Sequence, residues 1–140
     1  MDCILLDTHV AIWLVNDLLS PEARELVIAA AQTGNALISA ATAWEIGLLG
    51  RPRGSRDPQV EFLPNAQAWF DRLVDRANLA ETPLTAEILI ASSQLPGLLH
   101  GDPADRMLIA TARHLNCPLM TRDREILAYA DQGHVRAIPC

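Results

Sequence analysis

The sequence predicts an α/β domain built on a parallel sheet, and three observations predict it. Short apolar runs alternate with stretches of helical length along the whole chain. The first run, Cys3-Ile4-Leu5-Leu6, is apolar at every position, as in a strand covered on both faces. The chain has 140 residues, half of them apolar and a fifth charged, which suits one ordered domain with a sizeable core.

Cys3 to Leu6 is the first expected strand, and a helix follows from near His9 until Asn16-Asp17. Ser20-Pro21 supplies an N-cap followed by proline at the first helical position, opening a second helix toward Gln32. Gly34-Asn35 ends it, Ala36 to Ser39 is a second strand, and Ala40 to Leu49 is an apolar helix stopped by Gly50. Residues 50–64 are rich in Gly, Pro and Arg and read as a loop. Asn65 to Ala77 is an amphipathic helix, Leu79 to Leu84 a short strand, and Thr85 to Leu95 another helix. Asp102-Pro103 opens a strong helix to Leu115. Pro118 to Thr121 is a strand, Arg124 to Tyr129 a short helix, and Val135 to Ile138 a last strand. No internal repeat and no second domain is apparent.

Composition excludes several classes. No apolar run approaches the ~20 residues that cross a bilayer, and the apolar N-terminal stretch is too short for a signal-peptide core. A cytosolic protein is therefore expected. Cys3, Cys117 and Cys140 are odd in number and widely spaced, which argues against a disulfide framework or a zinc knuckle, and Cys3 and Cys117 read as small core side chains. The histidines, His9, His100, His114 and His134, show no close ligand spacing. The net charge of −6 counts against a nucleic-acid binder unless the acids are gathered around a cation. Arg51, Arg53 and Arg56 form a local basic cluster that reads as a solvated loop before it reads as a phosphate contact.

Four acids stand where structure alone explains them poorly. Asp7 follows the first strand directly, at the carboxyl end where parallel sheets bind ligands, although capping the next helix would also account for it. Glu45 is the only charged side chain from Leu26 through Gly50, in a helix expected to be largely buried. A buried carboxylate needs a cation, a wet cleft or a hidden arginine. Asp105 lies in line with Leu108, Ile109 and Ala112 on the apolar stripe of its helix, whereas Asp102 is a natural N-cap. Asp123 comes just after the strand ending at Thr121 and by itself reads as a cap. Taken together, separate elements send carboxylates toward one rim, and clustered oxygen donors suit Mg²⁺ or Mn²⁺. One or two such ions serve phosphodiester hydrolysis. No glycine-rich phosphate loop or zinc-protease helix competes with that chemistry. The rival readings are a non-catalytic binding module and a hydrolase with Asp7 as nucleophile. The second is weakened because His9 stands where that chemistry usually needs another acid.

The chain resembles the PIN-domain nucleases, in particular the VapC-type toxins of toxin–antitoxin pairs. The matching stretches are Leu5-Leu6-Asp7-Thr8-His9, Ser39 through Ile46, His100 through Ala112, and Pro118 through Arg124. The resemblance implies a Rossmann-like sheet of about five parallel strands and metal-dependent endonucleolytic cleavage of RNA. It assigns an acidic tetrad to Asp7, Glu45, Asp105 and Asp123, with Asp7, Asp105 and Asp123 as metal ligands, Glu45 as a metal-holding or water-positioning acid, and Mg²⁺ or Mn²⁺ as cofactor. It also implies that Thr121 supports the fourth acid, that two copies pair as a homodimer, and that a VapB-type antitoxin silences the enzyme. The segments Ile12 to Val15 and Leu26 to Ile28 offer apolar surface for that partner, although core packing explains most of these residues equally well.

Overall fold

The computed structural model describes residues 2–140. Its sheet is built from β1 (Ile4–Leu6), β2 (Ala36–Ser39), β3 (Ala80–Thr82), β4 (Leu119–Thr121) and β5 (Ala137–Pro139). The strands run in the order β3-β2-β1-β4-β5, and every pairing is parallel. β1 is central, with Leu5 in register with Leu37 on β2 and Leu119 on β4. The expected α/β class and the five parallel strands are therefore what the chain adopts.

The helices are α1 (Thr8–Val15), α2 (Pro21–Ala31), α3 (Ala40–Leu49), α4 (Ala66–Arg76), α5 (Ala86–Ser93), α6 (Pro103–Leu115) and α7 (Arg124–Asp131). Alternation along β1 divides the core between the two faces of the sheet. Ile4 and Leu6 join Val10 and Ile12 of α1, Val27 of α2, and Phe70 and Leu73 of α4. Leu5 points the other way, into Leu108 and Ile109 of α6 and Ile126 and Tyr129 of α7. Cys117 is buried in this second cluster and Cys3 packs against it, as expected of small core side chains.

Most element ends fall within a residue or two of the expected ones, and three departures have physical causes. α3 is less buried than its composition suggests, with Trp44 46 % exposed, because it lies beside the sheet's carboxyl edge and only Ala41, Thr42 and Ile46 turn inward. The 50–64 segment lacks regular structure but is anchored: Val60 N–H donates to the Leu49 carbonyl at 3.1 Å, and the buried Phe62 ring packs tilted against Trp69. A Cβ at Gly50 would lie 2.9 Å from the Phe62 ring, so this close approach needs glycine. The last strand starts later than its apolar pattern suggests, because Val135 enters the core before the backbone reaches the ladder with β4. No helix among the described residues is long and apolar enough to cross a membrane.

Candidate metal centre

Asp7 stands at the carboxyl end of β1 and is the N-cap of α1. Its backbone N–H donates to the Met120 carbonyl of β4 at 3.0 Å, which ties this strand end to the next. The carboxylate is buried and accepts twice at 2.7 Å, from Thr8 N–H at Oδ1 and from Thr121 Oγ1 at Oδ2. Asp7 thus caps α1 while standing at the carboxyl end of β1. Burial still pushes the Asp7 carboxyl above its ordinary range, against the lowering pull of Thr121, Thr8 and nearby His9.

Glu45 projects from the middle of α3 toward the start of α1. Thr8 Oγ1 donates to Glu45 Oε1, and the same hydroxyl lies 3.1 Å from Thr42 Oγ1. Among the described residues no arginine pairs with Glu45, so the hidden ion pair left open by the sequence is not formed. Burial raises its carboxyl, Thr8 partly offsets this, and the charges of Asp7 and Asp102 raise it further.

Asp102 is the cap that Pro103 announces, with Oδ1 accepting from Ala104 N–H at 3.0 Å and Asp105 N–H at 3.3 Å. Asp105, in the first turn of α6, turns inward. Burial pushes its carboxyl up to about 8, and Asp102, Asp7, Asp123 and Glu45 all add to the shift. Asp123 caps α7, accepting from Glu125 N–H at 2.8 Å and Ile126 N–H at 3.2 Å. Its own N–H donates to Thr121 Oγ1 at 3.0 Å, so one threonine holds the backbone at Asp123 and the carboxylate of Asp7.

The sequence reading missed His100. One donor atom each from His100, Asp105 and Asp123 can be chosen so that all lie within 4.8 Å of one another. His100 Nε2 lies 3.4 Å from Asp105 Oδ2 and 3.2 Å from Glu125 Oε2. Histidine-to-histidine spacing gave no hint of this. The usable signal was His100 just ahead of the Asp102-Pro103 helix start, where the chain must fold back over the first turn.

Asp7, Glu45, Asp105 and Asp123 therefore face the carboxyl edge of the central strands, close enough for the other three to raise the Asp105 carboxyl, although of the four only Asp105 and Asp123, together with His100, bring donor atoms within 4.8 Å of one another. The Asp105 carboxyl is pushed up to about 8 first by burial and then by the neighbouring acids Asp102, Asp7, Asp123 and Glu45, and among the described residues no cationic group pulls it back down. Hard oxygen donors under such repulsion suit a divalent cation such as Mg²⁺ or Mn²⁺, and the donor set fits the group. Arg51, Arg53 and Arg56 lie exposed in the 50–64 segment, where Arg53 and Arg56 bridge through their backbones.

Comparison with known proteins places the chain. A model of the PIN domain matches residues 4–132. Ribonuclease VapC22 of Mycobacterium tuberculosis is 31 % identical over 134 residues, covering 92 % of this chain and 93 % of the relative. Among solved structures, VapBC2 of Rickettsia felis, bound to a DNA fragment from its promoter, superposes with a TM-score of 0.67 at 14 % identity, covering 98 % of each chain. DNA-bound VapBC of Salmonella typhimurium superposes with a TM-score of 0.67 at 19 % identity, covering 99 % of this chain and 98 % of the other. At those identities the two structures speak for the fold alone, whereas the domain model and the relative covered nearly end to end speak for descent: the chain belongs to the PIN domain family.

Proposed function

We propose that this chain is a Mg²⁺- or Mn²⁺-dependent endoribonuclease that hydrolyses RNA phosphodiester bonds, and that it is the toxic member of a toxin–antitoxin pair. One observation carries the reading: Asp7, Glu45, Asp105 and Asp123 face one rim from four elements, and burial together with the charge of the neighbouring acids raises the Asp105 carboxyl. The Mycobacterium tuberculosis relative bears the name of a ribonuclease, in keeping with this reading.

In this reading Asp7, Glu45, Asp105 and Asp123 hold the cation. A divalent cation held there would supply Lewis acidity, lowering the pKa of water and offsetting charge on the leaving oxygen of a phosphodiester. The chain's own work is to keep these acids aimed. Thr121 and Thr8 fix both oxygens of Asp7. Thr8, backed by Thr42, fixes Glu45. The start of α7 fixes Asp123, whose Oδ1 is engaged by two backbone N–H groups. Little side-chain freedom is left to freeze when substrate binds.

The partner is a VapB-type antitoxin. A groove of about 520 Å³ between α1, α2 and α4 is floored by Leu14, Val15 and Ile28 and edged by Arg24, Arg72 and Arg76. An apolar floor with a cationic edge suits an antitoxin segment that mixes apolar and acidic side chains. Of the other residues expected as partner surface, Ile12 is buried in the core, Val27 is buried but lines the groove, and Leu26 is exposed outside it. Homodimerisation is part of the same reading, with Trp44 on α3 and Leu89 and Ile90 on α5 supplying exposed apolar surface.

The test is cleavage of total cellular RNA by antitoxin-free protein with Mg²⁺ or Mn²⁺, with EDTA, and with Asp7→Asn. Discrete fragments that require both metal and Asp7 are expected. Intact RNA in every condition, from protein shown to be folded, overturns the nuclease in favour of a binding module.

A further inference from the structure

His100 belongs to none of the acids above, yet the chain spends three contacts on it. Its carbonyl accepts from Arg106 Nη1 at 3.4 Å, and the same side chain holds Ser92 and Leu99 carbonyls on the approach to α6. Its ring Nδ1 accepts the Asp102 N–H at 3.2 Å. Its Nε2 is shielded from solvent, lies between Asp105 and Glu125, and among the described residues is aligned with neither well enough for a hydrogen bond.

The Nδ1 contact decides what Nε2 can be. A ring nitrogen that accepts carries no proton, so the ring hydrogen sits on Nε2. A histidine that ligates a metal through Nε2 shows the opposite pattern, donating through Nδ1 to a carbonyl or carboxylate. His100 therefore presents an N–H, not a lone pair, to the acids, although its position beside Asp105 and Asp123 resembles that of a ligand. A buried donor facing two carboxylates is a group that orients them.

We propose that His100 is a positioning residue of the acidic centre, whose Nε2–H, 3.4 Å from Asp105 Oδ2 and 3.2 Å from Glu125 Oε2, draws the Asp105 carboxylate by charge and dipole toward the orientation that takes the cation. This rests on the metal-centre reading above. It extends that reading to α7, because Glu125 follows Asp123 in the first turn.

The experiment measures Mn²⁺ binding by the loss of the free-ion electron paramagnetic resonance signal, and thermal unfolding in EDTA, for the unsubstituted chain, His100→Gln, His100→Asn and His100→Ala. Glutamine carries an amide N–H near the Nε2 position, and asparagine carries polar atoms only near Nδ1. Loss of an outer-shell partner of this kind costs about 10–100-fold in metal affinity. That loss is expected for His100→Asn and His100→Ala, with His100→Gln retaining most of the affinity. His100→Asn is expected to keep its unfolding midpoint, because it keeps a partner for Asp102 N–H. Affinity that instead tracks the midpoint across the variants overturns the proposal in favour of a purely structural anchor. A nitrogen hyperfine coupling from directly bound imidazole overturns it in favour of ligation. Equal Mn²⁺ binding by all four proteins overturns the role of His100 and leaves the centre standing, whereas no Mn²⁺ binding by the unsubstituted chain overturns both.

Discussion

Thr121 Oγ1 donates to Asp7 Oδ2 at 2.7 Å across 114 positions of sequence, and the same oxygen accepts the Asp123 N–H at 3.0 Å. Valine has nearly the same shape and neither capacity. Thr121→Val leaves a buried carboxylate oxygen and a backbone N–H without partners, at a cost of about 1–3 kcal/mol for each group left unpaired. Urea unfolding in EDTA is expected to show this loss, and Thr121→Ser is expected to recover most of it. RNA cleavage by Thr121→Val is expected to fall as well, because the hydrogen bond that lowers the Asp7 carboxyl is gone.

Asp7→Asn and Asp105→Asn each remove a carboxylate proposed to hold the metal, and cleavage is expected to drop by roughly a hundredfold or more in either. Folding survives, since an amide fills the same space and mutual repulsion is relieved. Circular dichroism and thermal unfolding alongside the cleavage assay check this. Full metal-dependent activity in either variant removes that residue from the centre.

The metal-free protein should lose stability as pH rises. Asp105 is held up to about 8 in the folded chain against an ordinary value of 3.8, so the folded state binds more protons in between. The stabilising contribution is complete below the ordinary value and is lost as pH rises through the folded one. Asp7 and Glu45, also raised, act in the same direction. Melting curves in EDTA between about pH 5 and pH 8.5 are expected to fall more steeply for the unsubstituted chain than for Asp105→Asn. Mn²⁺ should flatten the slope, and calorimetry in buffers of different ionisation enthalpy should show proton release on binding.

Ile28→Asp places a charge on the floor of the groove between α1, α2 and α4, far along the fold from the strand ends that carry the acids. Truncating or charging a buried interface anchor typically costs about 2–4 kcal/mol of binding. Co-purification with the antitoxin is expected to fail while RNA cleavage by the free toxin is unchanged. Equal loss of both, or of neither, argues against this groove as the seat of the partner.

Much of this molecule was legible because its signals are local. Ser20-Pro21, Asp102-Pro103 and Gly50 mark helix ends by capping and by conformational preference, and the helices begin or stop at those marks. The unbroken apolar run before Asp7 placed the central strand, and with it the carboxyl edge where a ligand crevice forms. The odd charge of Glu45 in an apolar stretch was a clue of the same kind, since burial makes a carboxylate expensive wherever the chain leads.

The sequence by itself determined the class of fold and the order of its elements, because periodicity and caps act over a few residues, and it supplied the acids that the proposed centre uses. Only the tertiary structure decided how those acids are served. It set Thr121 on Asp7, Thr8 on Glu45 and His100 between Asp105 and Glu125. It also turned Trp44 outward on a helix whose composition reads as buried. Hydrogen-bond partnership and burial depend on which strands become neighbours. Placing β4 rather than β3 beside β1 is a choice of the whole packed core, and no short stretch of sequence encodes it.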